Sequence, residues 1–342
     1  MEELNWWLVG GGLGVGAVFG FLIQRYRFCM VSGISNYMLV KDTRQSVAFA
    51  TALLVAITGT QLLELMDIVA IGDSGYRNST LDWFGASVGG ILFGVGATLA
   101  GGCVARTLAR SMEGSMHSLI ALLAFAIVAA ITQFGFLEST RLELTHLTSV
   151  SLTTDAGVAS VLSLPQWLPM VVVAAALIFF IYKLWQQNGD RTMLISGIII
   201  GSLVVFSWYV TGVLAQDEFF PTKPSAMTMS GPLARFGYII ISGKTPALSF
   251  AISFVIGAAI MSFLYAIVSR QFKISAPQTG MVKYALLGGS LMGIGGIMAY
   301  GCNIGQGLSG ISTLSTESIL AVLGIMAGIA GTTKCMEKCD IK

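Results

Sequence analysis

The sequence predicts an all-α integral membrane protein: about nine transmembrane helices plus re-entrant half-helices, built as two inverted four-span repeats joined by one linking span. Three observations predict it. Apolar residues make up 55% of the 342 and charged residues only 11%, against roughly 25% charged in soluble domains. The apolar residues fall in runs of membrane-spanning length. A segment containing glycines and a cysteine occurs twice, 199 residues apart. Any folded surface leaves much of a chain exposed, so this much apolar area needs a second apolar solvent. A formal net charge of +2 without a basic run excludes a nucleic-acid binder. The apolar runs are too long for strands of a membrane barrel.

The first run begins after Met1-Glu2-Glu3, acidic where a signal peptide is basic, and extends from Trp6 to Ile23. That predicts a first membrane helix rather than a cleaved leader. The expected spans are 6–24, 48–66, 84–105, 115–136, 167–185, 193–214, 247–268, 283–301 and 318–333. The longest gap between spans (215–246) leaves no room for a soluble domain. With the N-terminus outside, five of the 19 Lys and Arg residues fall outside: Arg77, Arg141, Lys223, Arg235 and Lys244. The other fourteen fall inside. The positive-inside rule therefore places the N-terminus outside and the C-terminus in the cytosol; the membrane expected is a prokaryotic inner membrane, with lipid around the chain.

The repeat is legible residue by residue. Gly89, Gly90, Gly94, Gly96, Gly102 and Cys103 match Gly288, Gly289, Gly293, Gly295, Gly301 and Cys302 at one offset. A fainter match sets Ser32-Gly33 on Ser230-Gly231 and Cys29 on Met227. Four spans, one connecting span and four more turn the second half upside down, an architecture found in transporters. The units expected are a first repeat (1–160), a linking span (161–192), a second repeat (193–334) and a cytosolic tail (335–342). Segments 25–40 and 225–242 are semi-polar, carry Ser-Gly and adjoin intact spans, so they read as re-entrant half-helices. Non-helical backbone at depth is tolerated where it lines a cavity.

The chemistry rests on cysteines. Free cysteine is ordinarily a small buried hydrophobe, but Cys103 and Cys302 are symmetry mates, flanked by glycine and followed by polar residues. Cys29 follows Arg25-Tyr26-Arg27-Phe28. A thiol is a weak, polarizable donor. Along a path it would hold soft sulfur without trapping it. A sulfur-bearing anion fits such a path better than a hard cation, which would call for carboxylates; Glu64 is the only acid expected near a span interior. Arg106, three residues past Cys103 on a continuing helix, would share its face and either concentrate anions or serve as an inside anchor. Asn303 and Gln306 either donate amide hydrogen bonds to oxyanions or hold helices together. Ser32 and Ser309 are further candidates for the path. His117 and His146 read as solvated, and no zinc set is visible. The tail pair Cys335 and Cys339 could bind metal, cycle redox state or hand on sulfur. Gly10 to Gly16 resembles a dinucleotide loop but has no preceding strand, so it reads as helix packing.

These motifs, Gly-Gly-Cys103-Val-Ala-Arg-Thr and Gly-Cys302-Asn-Ile-Gly-Gln-Gly-Leu-Ser-Gly with Arg-Phe-Cys29 upstream, resemble the YeeE/YedE family of membrane proteins over nearly the whole chain. The resemblance implies transport of sulfur compounds: thiosulfate in one branch, a selenium-related role in another. It implies an hourglass path in which Cys29, Cys103 and Cys302 pass the ion inward by S–H to sulfur hydrogen bonds. It also implies a small cytosolic sulfurtransferase-like protein as a partner. The alternatives are a selenium compound or another sulfur oxyanion, a passive channel, and a membrane thiol oxidoreductase. The last would call for a close cysteine pair in the membrane and a haem or quinone site, and the spacing predicts no such pair. No Walker motif points to ATP, no embedded carboxylate pair points to proton coupling, and no cofactor is expected.

Overall fold

The chain's glycine and alanine content decides how its helices meet. Residues 6–152, 155–188, 190–216, 222–243, 248–277 and 280–338 are described by a computed structural model. α1 (Trp6–Tyr26) is followed by the short α2 (Met30–Val40), and α3 (Arg44–Leu65) returns. The segment after α3 holds a 3-10 turn, Ile71–Asp73, and the strand β1 (Thr80–Asp82). α4 (Trp83–Leu99) starts where Asp82 accepts a hydrogen bond from the Gly85 amide at 2.8 Å, a side-chain N-cap. α5 (Val104–Met112), α6 (Met116–Phe134) and α7 (Leu137–Thr148) follow. β2 (Ser149–Ser151) pairs antiparallel with β1, Leu81 opposite Val150. This two-stranded ribbon and α7 lie between the expected spans. The remaining helices are α8 (Val158–Val161), α9 (Trp167–Asn188), α10 (Arg191–Tyr209), α11 (Ser230–Ser242), α12 (Phe250–Val268), α13 (Val282–Met298) and α14 (Thr316–Lys338). π-helical turns occupy Val210–Leu214 and Gly305–Gly310.

Among the described residues, eight helical stretches are long and apolar enough to cross a bilayer, and α13 is a shorter apolar ninth. The protein is a multi-pass, all-α membrane protein, and each of the nine expected spans falls on one of these helices. The expected last span (318–333) proves to be a helix of 23 residues. The expected span 84–105 is two helices, because the chain breaks at Gly101 (φ +76). Its counterpart α13 ends at Tyr300 (φ 52), where a non-glycine residue takes the same left-handed backbone. That conformation costs about 1–2 kcal/mol per residue.

Packing follows the small residues. α1 lies along α12 as α10 lies along α3; α4 lies along α13 and α14 as α13 lies along α4 and α6; α11 packs on α6 and α2 on α14. At the α4–α13 crossing the backbones touch. A Cβ on Gly96 would stand 2.6 Å from the Gly288 carbonyl, and one on Gly288 would stand 2.7 Å from the Gly96 carbonyl. Only glycine permits that approach. α9 packs mainly on α3, and Val172, Phe179 and Tyr182 on it face outward.

One ion cluster ties these elements. Arg77, 6% exposed, reaches Glu64 at 2.5 Å and Asp155 at 3.3 Å, and its Nε and Nη2 donate to the Thr313 carbonyl at 2.9 and 2.6 Å. Replacing Arg77 by methionine leaves two carboxylates and a carbonyl without their cation. The expected cost is about 3–5 kcal/mol, read as a lowered thermal unfolding midpoint in detergent; an unchanged midpoint would show the cluster to be incidental. Glu64, expected as the only acid near a span interior, is partly exposed, while the fold buries Asp82 and Glu317. Asp82 is held by hydroxyls of Thr145 and Thr148 at 2.8 and 3.2 Å.

Candidate functional site

Three short helical segments begin just after the three cysteine motifs. Cys29 is the N-cap of α2 and Cys103 the N-cap of α5, both in extended backbone. Cys302 opens the turn that leads into Gly305–Gly310, its carbonyl accepting from the Gln306 amide at 2.7 Å. In each case the sulfur faces the backbone amide three residues on: Ser32 for Cys29, Arg106 for Cys103 and Gly305 for Cys302, the last at 3.5 Å. The free amides at the start of a helix carry partial positive charge. Thiols in this place therefore sit where an anion is favoured. At the fourth equivalent place, before α11, Met227 and Met229 are buried thioethers with no proton to donate.

The fold brings Cys29 and Cys103 together. Their sulfurs lie 3.5 Å apart, although 74 residues separate them, with Cys29 donating. This corrects the expectation that the spans hold no close cysteine pair: sequence separation says nothing about which re-entrant ends meet. Asn303, next to Cys302 in sequence, lies beside the Cys103 thiol, so it links the surroundings of these two cysteines. All three cysteines and Asn303 are fully buried. Neither the amide nitrogen nor the oxygen of Asn303 has a hydrogen-bond partner. A buried unpartnered polar group costs about 1–3 kcal/mol, so this side chain is retained at a cost to the fold. Asn303→Leu, branched alike at Cγ, is expected to keep or raise the thermal midpoint while cutting transport about tenfold. A loss of both together would make Asn303 structural.

Two clefts border residues next to these motifs. One, of about 330 Å³, is bordered by Thr228, Lys223, Arg235 and Gln133. Thr228 sits against Gly305, and the Tyr76 hydroxyl approaches the same glycine and bonds with Thr228. Burial first, then the neighbouring Cys302, pushes the Tyr76 phenol further up, so it remains a neutral donor. The other cleft, of about 470 Å³, is bordered by Ser32, Ser35, Asn36, Thr98, Thr333 and Glu337. Phe28 and Phe49 stack at 5.6 Å beside the Cys29 loop and supply an apolar wall.

The remaining candidates separate by their bonds. Arg106 does not continue the helix of Cys103's predecessors; α4 has already ended, and Arg106 lies in the first turn of α5. It is buried, its Nη1 is unpartnered, and Glu113, Cys29, Arg27 and Arg110 are its charged or ionisable neighbours. Gln306 donates to the Ala299 carbonyl at 2.7 Å and accepts from Ser318 at 2.5 Å, so both ends of its amide are used within the fold. Ser309 donates to the Met227 carbonyl at 2.7 Å. Ser32 lines the larger cleft. Cys335 is exposed near the end of α14, and Cys339 lies outside the described residues. Among the described residues no group of three or more His, Cys, Asp or Glu side chains could hold a metal. Tyr76, Thr228, Lys223 and Arg235 were missed from sequence. Only the last two had a signal there, as cations flanking the semi-polar segment 225–242.

Comparison with known proteins places the same residues in context. A sequence family described as sulphur transport matches residues 25–331. The chain is similar to the thiosulfate transporter TsuA of Escherichia coli, 27% identical over 88% of this chain and 87% of that one. It is similar to the thiosulfate transporter TsuA of Spirochaeta thermophila, 26% identical over 89% of this chain and 92% of that one. A shorter stretch, 34% of this chain and 27% of the relative, is 32% identical to the probable transporter YedE of Escherichia coli.

Proposed function

This chain belongs to the sulphur transport family, and we propose that it carries thiosulfate across a prokaryotic inner membrane along a path lined by Cys302, Cys103 and Cys29. The observation that carries the proposal is the buried Asn303 amide, without a hydrogen-bond partner in the fold, beside the Cys103 thiol. That pair offers a soft donor for the terminal sulfur of thiosulfate and a hard donor for its oxygens, within one ion's reach.

The N-terminus is outside and the C-terminus in the cytosol in this reading. The smaller cleft, with Lys223 and Arg235, is then the outer mouth, where cations raise the local anion concentration. Thr228 and the neutral Tyr76 hydroxyl lead to Cys302. The ion next exchanges to Cys103 and Asn303, then to Cys29, and leaves past Ser32 and Arg106. Thiols suit this succession because each bond is weak, about 1 kcal/mol or less, and a site must release as readily as it binds. The exchange of neighbours between α1, α3, α4, α6 and α10, α12, α13, α14 supports two inverted halves around the linking helix α9. A sulfurtransferase-like protein meeting the inner cleft would complete the route, and a pull-down with and without residues 335–342 tests whether the tail recruits it.

Cells lacking their own thiosulfate import, given thiosulfate as sole sulfur source, are expected to grow when they express this chain. A folded, membrane-inserted protein that supports no growth on thiosulfate overturns the substrate and moves the test to selenium compounds and other sulfur oxyanions.

A further inference from the structure

We propose that Cys29 and Cys103 form a reversible disulfide that closes the path, and that polythionates, the oxidised S–S-linked class of sulfur oxyanions, are the oxidants that form it. The two sulfurs are already 3.5 Å apart, and a disulfide needs about 2.05 Å. The backbones are anchored. The Cys29 amide donates to Gln45 at 3.1 Å, and the Cys29 and Cys103 carbonyls accept from Gly33 and Thr107 at 3.0 and 2.8 Å. Both residues are N-caps in extended conformation rather than helix interior, so closure needs side-chain rotation and a small shift of two loop ends. Among the buried sulfurs the pairing is selective, because the Cys302 sulfur is engaged by the Gly305 amide; Cys335 lies exposed near the end of α14 rather than buried with the pair.

With tetrathionate the step balances. One thiolate of the pair attacks one of the two inner sulfurs; the inner S–S bond breaks and one thiosulfate leaves. That cysteine then carries the other half as a mixed disulfide. The thiolate of its partner attacks the cysteine sulfur, and the second thiosulfate leaves. Two thiols are oxidised, one S–S bond is reduced, two protons are released, and two thiosulfates are formed. The product joins the start of α2 to the start of α5 and leaves neither sulfur with a proton to donate. The effect on transport rests on the proposed thiosulfate path; formation of the disulfide does not.

The experiment treats membrane vesicles holding the full chain with tetrathionate, removes it, denatures the protein and counts N-ethylmaleimide labels by intact mass. Peptide mapping is expected to show Cys29 linked to Cys103, with the labels on those two lost and regained with dithiothreitol; Cys339 and the exposed Cys335 are scored separately, since a soluble oxidant reaches Cys335 directly. Thiosulfate uptake in the same vesicles is expected to fall at least about tenfold and to recover with the labels. Cys29 and Cys103 both still labelled after treatment, or either of them linked to Cys302 or Cys335, overturns the pair. A complete Cys29–Cys103 link with undiminished uptake overturns the closure. Untreated vesicles that take up no thiosulfate would count against the transport reading, while the peptide map still decides the disulfide.

Discussion

Cys103→Ala is expected to abolish growth on thiosulfate while the protein remains in the membrane at wild-type abundance. Cys103 is the middle of three thiols and touches both others' surroundings: the Cys29 sulfur directly and Asn303 beside Cys302. Removing it leaves a gap in a series path, where the largest barrier sets the rate. A barrier raised by 1.4–2.8 kcal/mol slows passage by about ten- to a hundredfold. The fold loses little. Truncating a buried thiol to a methyl costs about 1 kcal/mol, small beside the packing around it. The comparison needs uptake rates and membrane abundance from the same cells. Wild-type uptake by the variant would remove Cys103 from the path and leave the transporter standing.

Gly96→Ala and Gly288→Ala are expected to destabilise the protein by about 1–3 kcal/mol each, and the pair by less than the sum. The two glycines face each other across the α4–α13 crossing, and either methyl would have to enter space held by the other helix's backbone at 2.6 or 2.7 Å. Backbone cannot rotate aside as a side chain can. Gly14→Ala on α1 is the control: nothing lies within 4 Å of its Cβ position, and alanine is the better helix former by about 1 kcal/mol. Thermal unfolding in detergent should rank the control at or above wild type and both crossing variants below it. Equal midpoints for all three would mean that the helices part without cost.

Hydropathy carried the nine spans, because apolar length is a local property. Ser32-Gly33 and Ser230-Gly231 were enough to mark α2 and α11, since polar small residues in an otherwise apolar stretch need a cavity to face. The matched glycines showed where helices approach. What sequence did not yield is what depends on chain folding back. The break at Gly101 was hidden because a glycine within an apolar run is compatible with an unbroken helix. The meeting of Cys29 with Cys103 depends on two loops converging from different hairpins. Arg77 looked like a loop cation until the fold placed Glu64, Asp155 and the Thr313 carbonyl around it. Gln306 and Asn303, alike in type and three residues apart, were indistinguishable until their partners were known. One is spent on Ala299 and Ser318, and the other is free.

On the proposed path the two clefts have an electrical consequence. There they face opposite compartments, so electrolyte entering both brings the bulk potentials close to the thiols and the membrane voltage falls across the protein between Thr228 and Ser32. Moving a doubly charged anion inward against a negative interior then costs about 4–5 kcal/mol per 100 mV in that region. Voltage sensitivity of uptake is therefore set by a few residues, and a change that deepens either cleft by one helical turn should make transport visibly steeper or shallower in voltage without altering which ion is carried.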